Sequence, residues 1–443
     1  MASISKLLPF PPLVLARWWL AAVVVTSLAL RFSLALALPF DAGPDERYRY
    51  QVMTELYQKN HAPRYGQEGW VPHFVVKPIF GYRLNAWVAH AFPGGLPLFV
   101  KIRFGSAFLG AMTIVVAYFI VRNLWPDKPL HAATLATLVA LHPKVLGLGT
   151  YLNSDAFTIF AVTVVLYVLS LAHRRGTLHW GTSVALGAAL GLVFLGRENG
   201  YSGYILAAGY CLWLLMTRGR SVAGPIAAAV AVWLLVPTAF YVHQYLTYGR
   251  AFIPILVGSG IAWVPPDYSF IEAVQSGLRV GSTYPIVHLD WRQPLHWMGF
   301  FGQIFFSSFN AYSYDIVFPS PFLSWYLLFV VGGCAGFVRF LFRRTPGVDS
   351  PEGRSRRWLL GSALAACLAL FAAVVRHNFA VLHQPDGRYL MPLIVAALIL
   401  LMSGWQLAFR RADWGRWLLV GGTGFFTISG FYGMWMIMRL YAY

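Results

Sequence analysis

Several short constellations in this chain hold side chains capable of chemistry, and each lies between apolar stretches. In Asp41-Ala42-Gly43-Pro44-Asp45-Glu46-Arg47-Tyr48, two adjacent carboxylates stand beside a basic and an aromatic residue. A carboxylate in a partly dry cleft is a weaker acid than usual and can take a hydroxyl proton as a general base. The competing reading is structural: Asp45 and Glu46 occupy the first turn of a helix and complement its dipole. Lys77-Pro78 puts a cation just before a helix that the proline can start. It serves either as a phosphate site at helix N-terminal amides or as a lysine whose stem snorkels to the interface. Asn153-Ser154-Asp155 opens another helix, as a cap, a substrate contact or both.

Gly196-Arg197-Glu198-Asn199-Gly200 is a tight turn with two readings. Its two ionisable residues pair with each other, or Arg197 neutralises a phosphate while Glu198 orients it. His383-Gln384-Pro385-Asp386-Gly387-Arg388-Tyr389 is a turn leading into a helix, with Arg388 in its first turn. An arginine at the edge of an apolar segment without a local partner is a functional candidate. Arg31 qualifies for the same reason, and Arg103 less strongly. Carboxylates are nearly absent from the middles of apolar segments. A transporter usually needs ionisable or broken-helix sites near mid-bilayer, so this placement favours a site worked from one face.

The elements that must position these groups are membrane helices. Hydrophobic residues make up 58% of the 443, charged residues only 11%, too few to cover a water-soluble surface. Mean hydropathy is +0.60. Apolar windows fall at about 16–38, 97–121, 130–147, 153–172, 178–195, 199–216, 222–243, 321–342, 357–376, 388–409 and 416–438. The expected fold is an all-α integral membrane protein with about 11 transmembrane helices, one membrane domain over 1–443. Two long connections, 39–96 and 244–320, are expected outside the membrane with short interfacial helices, over about 45–59 and 78–91 in the first. The first loop would carry the catalytic motif, and the second would form or cover the substrate pocket. Ala35-Leu36-Ala37 imitates a signal-peptidase site, but the run before it is long for a signal peptide, so it reads as an uncleaved helix.

Lysine and arginine number 34 against 16 acidic residues, a net charge of +18. The excess sits in short connections, which argues for topology and anionic headgroups and against nucleic acid. Arg122/Lys128, Arg174/Arg175, Arg218/Arg220, Arg343 to Arg357 and Arg410/Arg411/Arg416 fall on one side, expected to be cytoplasmic with the N-terminus. Tyr443 then lies outside. Cys211, Cys334 and Cys367 lie in apolar segments, where cysteine acts as a small hydrophobe, and no Cys/His spacing suggests zinc.

In order and sidedness, these motifs resemble the GT-C superfamily of membrane glycosyltransferases, closest to the branch holding protein O-mannosyltransferases and lipid A aminoarabinose transferases. Asp45-Glu46-Arg47-Tyr48 resembles that branch's acidic loop motif, and Lys77-Pro78 its Lys-Pro motif. Arg197 resembles a mid-chain basic residue that is often Lys, and Gly387-Arg388-Tyr389 a late Gly-Arg-Tyr. Arg49 stands where some relatives have histidine. The resemblance implies sugar transfer from a polyprenyl-phosphate donor to an acceptor at the outer face, the acceptor being a glycan, a lipid or a protein. Asp45 would be the base, with Glu46 orienting it or binding sugar. Lys77, Arg197 and Arg388 would hold the phosphate, and Tyr48, Asn153, Asp155, Glu198 and Tyr389 would line the substrates. No cofactor is expected; a divalent metal at Asp45/Glu46 is conceivable, but no further acidic ligands converge there. The expected location is the bacterial inner membrane. The alternative class is a transporter or flippase for a lipid-linked or anionic solute.

Overall fold

The computed structural model describes residues 12–43, 46–61, 63, 78–92, 94–248, 254–255, 262–263, 292, 294, 297, 330–338, 350–380 and 387–408, with isolated positions between 421 and 439. Asp45, Lys77, most of the 244–320 connection and the 383–386 turn lie outside the described residues.

The chain begins with α1 (Pro12–Ala37). Two short helices follow in the first long connection, α2 (Glu46–Lys59) and α3 (Phe80–His90). Next come α4 (Leu98–Leu124), α5 (Pro129–Leu141), α6 (Pro143–Leu148), α7 (Asp155–Arg175) and α8 (Trp180–Phe194). A 3-10 turn at Glu198–Tyr201 leads into α9 (Ser202–Arg218) and α10 (Arg220–Tyr248). After α11 (Pro351–Ala380), a 3-10 segment at Gly387–Leu393 runs into α12 (Ile394–Ala408). A two-residue antiparallel pair, Pro254–Ile255 with Ala262–Trp263, is the β-structure among the described residues.

Six of these helices are long and apolar enough to cross a membrane: α1, α4, α7, α10, α11 and the Gly387–Trp405 stretch. The shorter apolar helices α5 and α8 fill two more of the expected windows, and α9 a ninth. The windows at 321–342 and 416–438 lie largely outside the described residues. The protein is therefore a polytopic, helical membrane protein.

The window expected at 130–147 is not one helix. Pro143 has no N–H to donate and bars its predecessor from helical backbone, so His142 turns to φ −59°, ψ 120° and separates α5 from α6. The 13 residues of α5 rise only about 20 Å, short of a hydrocarbon core of about 30 Å. The second departure is at 387–393, where Pro392 accompanies a 3-10 rather than an α-helical start. Arg388 thus lies in a tighter coil than the sequence suggests.

Close helix packing fixes the ends of the bundle. Gly187 and Gly191, one turn apart on α8, let α10 approach so nearly that a Cβ at Gly191 would stand 2.6 Å from Val236 Cγ2. In lipid, where apolar surface alone does not drive helices together, such small-residue seams carry association. At one end of the bundle, His173 Nδ1 and Tyr210 OH both meet Ser355 Oγ at 2.8 Å, joining α7, α9 and α11. Arg174 donates to Asn123 Oδ1 at 3.3 Å, and the Arg356 guanidinium lies 5.5 Å over the Trp125 ring. Residues assigned to the basic side by charge alone thus gather at one end. The chemistry-bearing residues gather at the other.

Candidate active site at the opposite end of the bundle

The first loop is pinned by a buried ion pair. Glu46, the first residue of α2, and Arg103 of α4 both have fully buried side chains. Arg103 Nε donates to Glu46 Oε1 at 2.8 Å and Nη2 to Oε2 at 2.9 Å. The same guanidinium donates to the carbonyls of Ala35 (3.0 Å), Leu38 (2.6 Å) and Pro39 (2.8 Å). These are carbonyls at and beyond the end of α1, which have no helical partner of their own. Glu46 also accepts from the amides of Gly43 and Leu152, and Arg49, one turn on, donates to Leu152 O at 3.2 Å. Asp41, in the left-handed region that Asp tolerates (φ 69°), accepts the Arg47 N–H at 3.0 Å and caps α2. Gly43 packs on the Tyr151 ring so closely that a Cβ would overlap it. The backbone flanking Asp45 is therefore held from both sides against α4 and the 151–153 segment.

A second cluster lies beside it. Asn153 Oδ1 accepts the Ala156 N–H at 3.0 Å and caps α7, while its Nδ2 is spent on Leu148 O and Tyr151 O. Asp155, 2% exposed, accepts from Arg197 Nη1 at 2.8 and 3.1 Å. Arg197, Arg388 and Arg49 are the charges that act on its carboxylate. Arg197 and Arg388 also flank one ring, their guanidinium carbons 6.0 and 5.1 Å from the Tyr389 centroid. Arg388, 6% exposed, donates to Tyr389 OH at 3.2 Å, and Asn199 Nδ2 donates to Tyr389 O at 3.3 Å. Burial works against the charge on Arg197, but Asp155, with Tyr389 and Glu198, outweighs it and raises the guanidinium pKa above its ordinary value.

Arg103 and Arg197 differ in a way that matters. All three nitrogens of the Arg103 guanidinium are committed to protein oxygens. Asp155 engages only Nη1 of Arg197, whose side chain is 19% exposed, and no described residue accepts a hydrogen bond from its Nε or Nη2. One arginine is a structural bolt; the other has donors to spare for an anion.

Residues 52–248 match the family described as dolichyl-phosphate-mannose-protein mannosyltransferase. An undecaprenyl phosphate-alpha-4-amino-4-deoxy-L-arabinose arabinosyl transferase of Pseudomonas fluorescens is 28% identical over 294 residues, covering 56% of this chain and 50% of that protein. A Yersinia pestis protein of the same description is 30% identical over 234 residues, 49% of this chain and 40% of its own length. The crystal structure of ArnT from Cupriavidus metallidurans bound to undecaprenyl phosphate superposes with a TM-score of 0.54 at 16% identity, over 91% of this chain and 62% of that one. The Archaeoglobus fulgidus oligosaccharyltransferase AglB, in complex with an inhibitory peptide and a dolichol-phosphate, gives 0.54 at 14% identity over 95% and 55%. The chain shares the GT-C membrane fold of these solved structures. Over part of its length it is similar to the mannosyltransferase family and to aminoarabinose transferases, and it spans about half the length of the curated relatives it matches.

Within this fold the structure brings together Glu46, Asn153, Asp155, Arg197, Arg388 and Tyr389 at one end, with Glu198 close enough to act on Arg197. Asp45 and Lys77 lie outside the described residues, and Tyr48 is 45% exposed on α2. At three positions the contacts bear on readings that the residue types alone left open. Glu46 does not face a sugar: its oxygens are taken by Arg103 and two amides, so it holds the loop instead. Arg197 forms its ion pair with Asp155 rather than its neighbour Glu198. Asn153 has both ends of its amide spent on the backbone, which leaves capping as its role. Among the described residues no group of three His, Cys, Asp or Glu side chains converges as a metal site would. The residue pattern assigned no role to Thr158, Arg49 or Asn199. Arg49 carried a signal, since it stands one helical turn from Glu46 and so on the same face.

Proposed function

We propose that this chain transfers a sugar from a polyprenyl-phosphate donor to an acceptor at the outer face of the bacterial inner membrane. The observation that carries this reading is the half-committed Arg197 guanidinium, set with Arg388 around Tyr389 at the end of the bundle where the Asp45 loop is pinned. Arg197 and Arg388, with Lys77 from the first loop, hold the donor phosphate. As the bond between the anomeric carbon and the phosphate oxygen breaks, negative charge grows on that oxygen. Fixed guanidinium donors in a water-poor cleft stabilise it most at that moment. Asp45 takes the acceptor hydroxyl proton as that oxygen attacks the anomeric carbon from the opposite side, inverting it. Tyr48, Tyr389 and Glu198 line the substrates. The N-terminus is cytoplasmic and Tyr443 external, and the 244–320 connection, most of it outside the described residues, forms or covers the substrate pocket. No cofactor has a role in this scheme.

The test is mass spectrometry of membrane glycoconjugates from cells with and without the gene. Loss of one sugar from an envelope component, with accumulation of a polyprenyl-phosphate sugar, is the expected result. Solute flux across sealed vesicles with no covalent product would instead establish a transporter.

A further inference from the structure

Arg197 is held by more than its ion pair. Its backbone N–H donates to Thr158 Oγ1 at 2.9 Å, and that hydroxyl donates in turn to Ser154 O at 2.9 Å. Thr158 is fully buried and stands three residues beyond Asp155, on the same face of α7. One helix face therefore grips Arg197 twice, by its backbone through Thr158 and by its side chain through Asp155. The glycines flanking Arg197 fit this grip. A Cβ at Gly196 would come 2.9 Å from Thr158 Oγ1, and one at Gly200 would come 2.6 Å from Thr158 Cγ2. The turn wraps the threonine closely on both sides, and larger residues would push it away.

We propose that Asp155 and Thr158 form a two-point clamp that positions Arg197 for the donor phosphate, Asp155 acting on the arginine rather than on the substrate. Asp155 uses one guanidinium nitrogen and so fixes the direction in which Nε and Nη2 point. Thr158 fixes where the side chain starts. A long, rotamer-rich side chain prepared in this way loses less entropy when it binds an anion. The sign of the Asp155 effect separates this role from the plainer one. A carboxylate that is merely a charge near the phosphate repels it, and its removal should tighten anion binding. A carboxylate that positions Arg197 should weaken binding when neutralised.

This clamp rests on the reading of the site as a polyprenyl-phosphate site, and one experiment tests both separately. Binding of undecaprenyl phosphate to the full-length protein in nanodiscs would be measured for wild type, R197A, D155N, T158V and T158S, with thermal stability recorded for each. Wild type and R197A report on the site; D155N, T158V and T158S report on the clamp. The expected result is measurable binding by wild type, weakened tenfold or more in R197A and D155N. It should weaken roughly three- to tenfold in T158V, the scale of one lost hydrogen bond, and recover in T158S, which keeps the hydroxyl. Binding by D155N and T158V at wild-type affinity or tighter, with R197A still weakened, would overturn the clamp and leave the site reading standing. If wild type does not bind, the site reading fails. A thermal-stability double-mutant cycle between D155N and R197A then decides the geometric clamp: coupling supports it, and additivity ends it.

Discussion

Removing Arg103 while keeping Glu46 tests the anchoring of the first loop most sharply. Arg103→Leu would strip both carboxylate oxygens of their charged donor and leave the carbonyls of Ala35 and Leu38 buried without theirs. Breaking one side of a buried pair generally costs about 3–5 kcal/mol, and each orphaned buried carbonyl about 1–3 more if the structure cannot relax. Relaxation of the α1 end will recover part of this, so we expect a loss of about 4 kcal/mol. The double variant R103L/E46L removes the uncompensated carboxylate and should lie closer to wild type than R103L does. Detergent-solubilised protein would be followed by thermal unfolding on a sizing column. Coupling of at least about 2 kcal/mol between the two positions is the expected outcome of the cycle. A strictly additive double variant, or R103L within about 0.5 kcal/mol of wild type, would refute the account of Glu46 as a structural anchor.

Asp45→Asn should abolish sugar transfer yet leave thermal stability and donor binding at wild-type level, checked by product formation beside lipid binding; transfer at the parental rate would remove Asp45 as the base. Arg388→Ala, by deleting one of the two guanidiniums at Tyr389, should weaken donor binding by about tenfold or more, measured by titration with undecaprenyl phosphate. Gly191→Leu should separate α8 from α10 and destabilise the protein by about 1–3 kcal/mol, read as a lowered unfolding temperature with the secondary structure retained. A reporter fused after Tyr443 should be reached from the external side of intact cells and not from the cytoplasm.

The helices that span were legible because hydropathy is local: α4 and α7 appear in the sequence as long, predominantly apolar runs. The break at His142 was also written there, in Pro143, but the apolar residues on both sides hide it from any windowed reading. The site was legible in its residue types and not in its pairings. Arg103 reaches Glu46 across 57 positions, and Arg197 reaches Asp155 across 42. Adjacency in sequence suggested Glu198 as the partner of Arg197, but the turn puts the arginine over the start of α7 instead. Thr158 gave no sign at all. A threonine within an apolar helix normally bonds back to its own turn, and this one does so while accepting a second bond from Arg197.

The reading depends on one pocket being shared by the first loop and the late arginines, and a cryo-EM structure with undecaprenyl phosphate bound examines that directly. The phosphate should lie within about 3 Å of the Arg197 and Arg388 guanidinium nitrogens, near the N-terminal end of α2. A phosphate seated at the Arg174–Arg356 end of the bundle, or out of reach of both arginines, would contradict it.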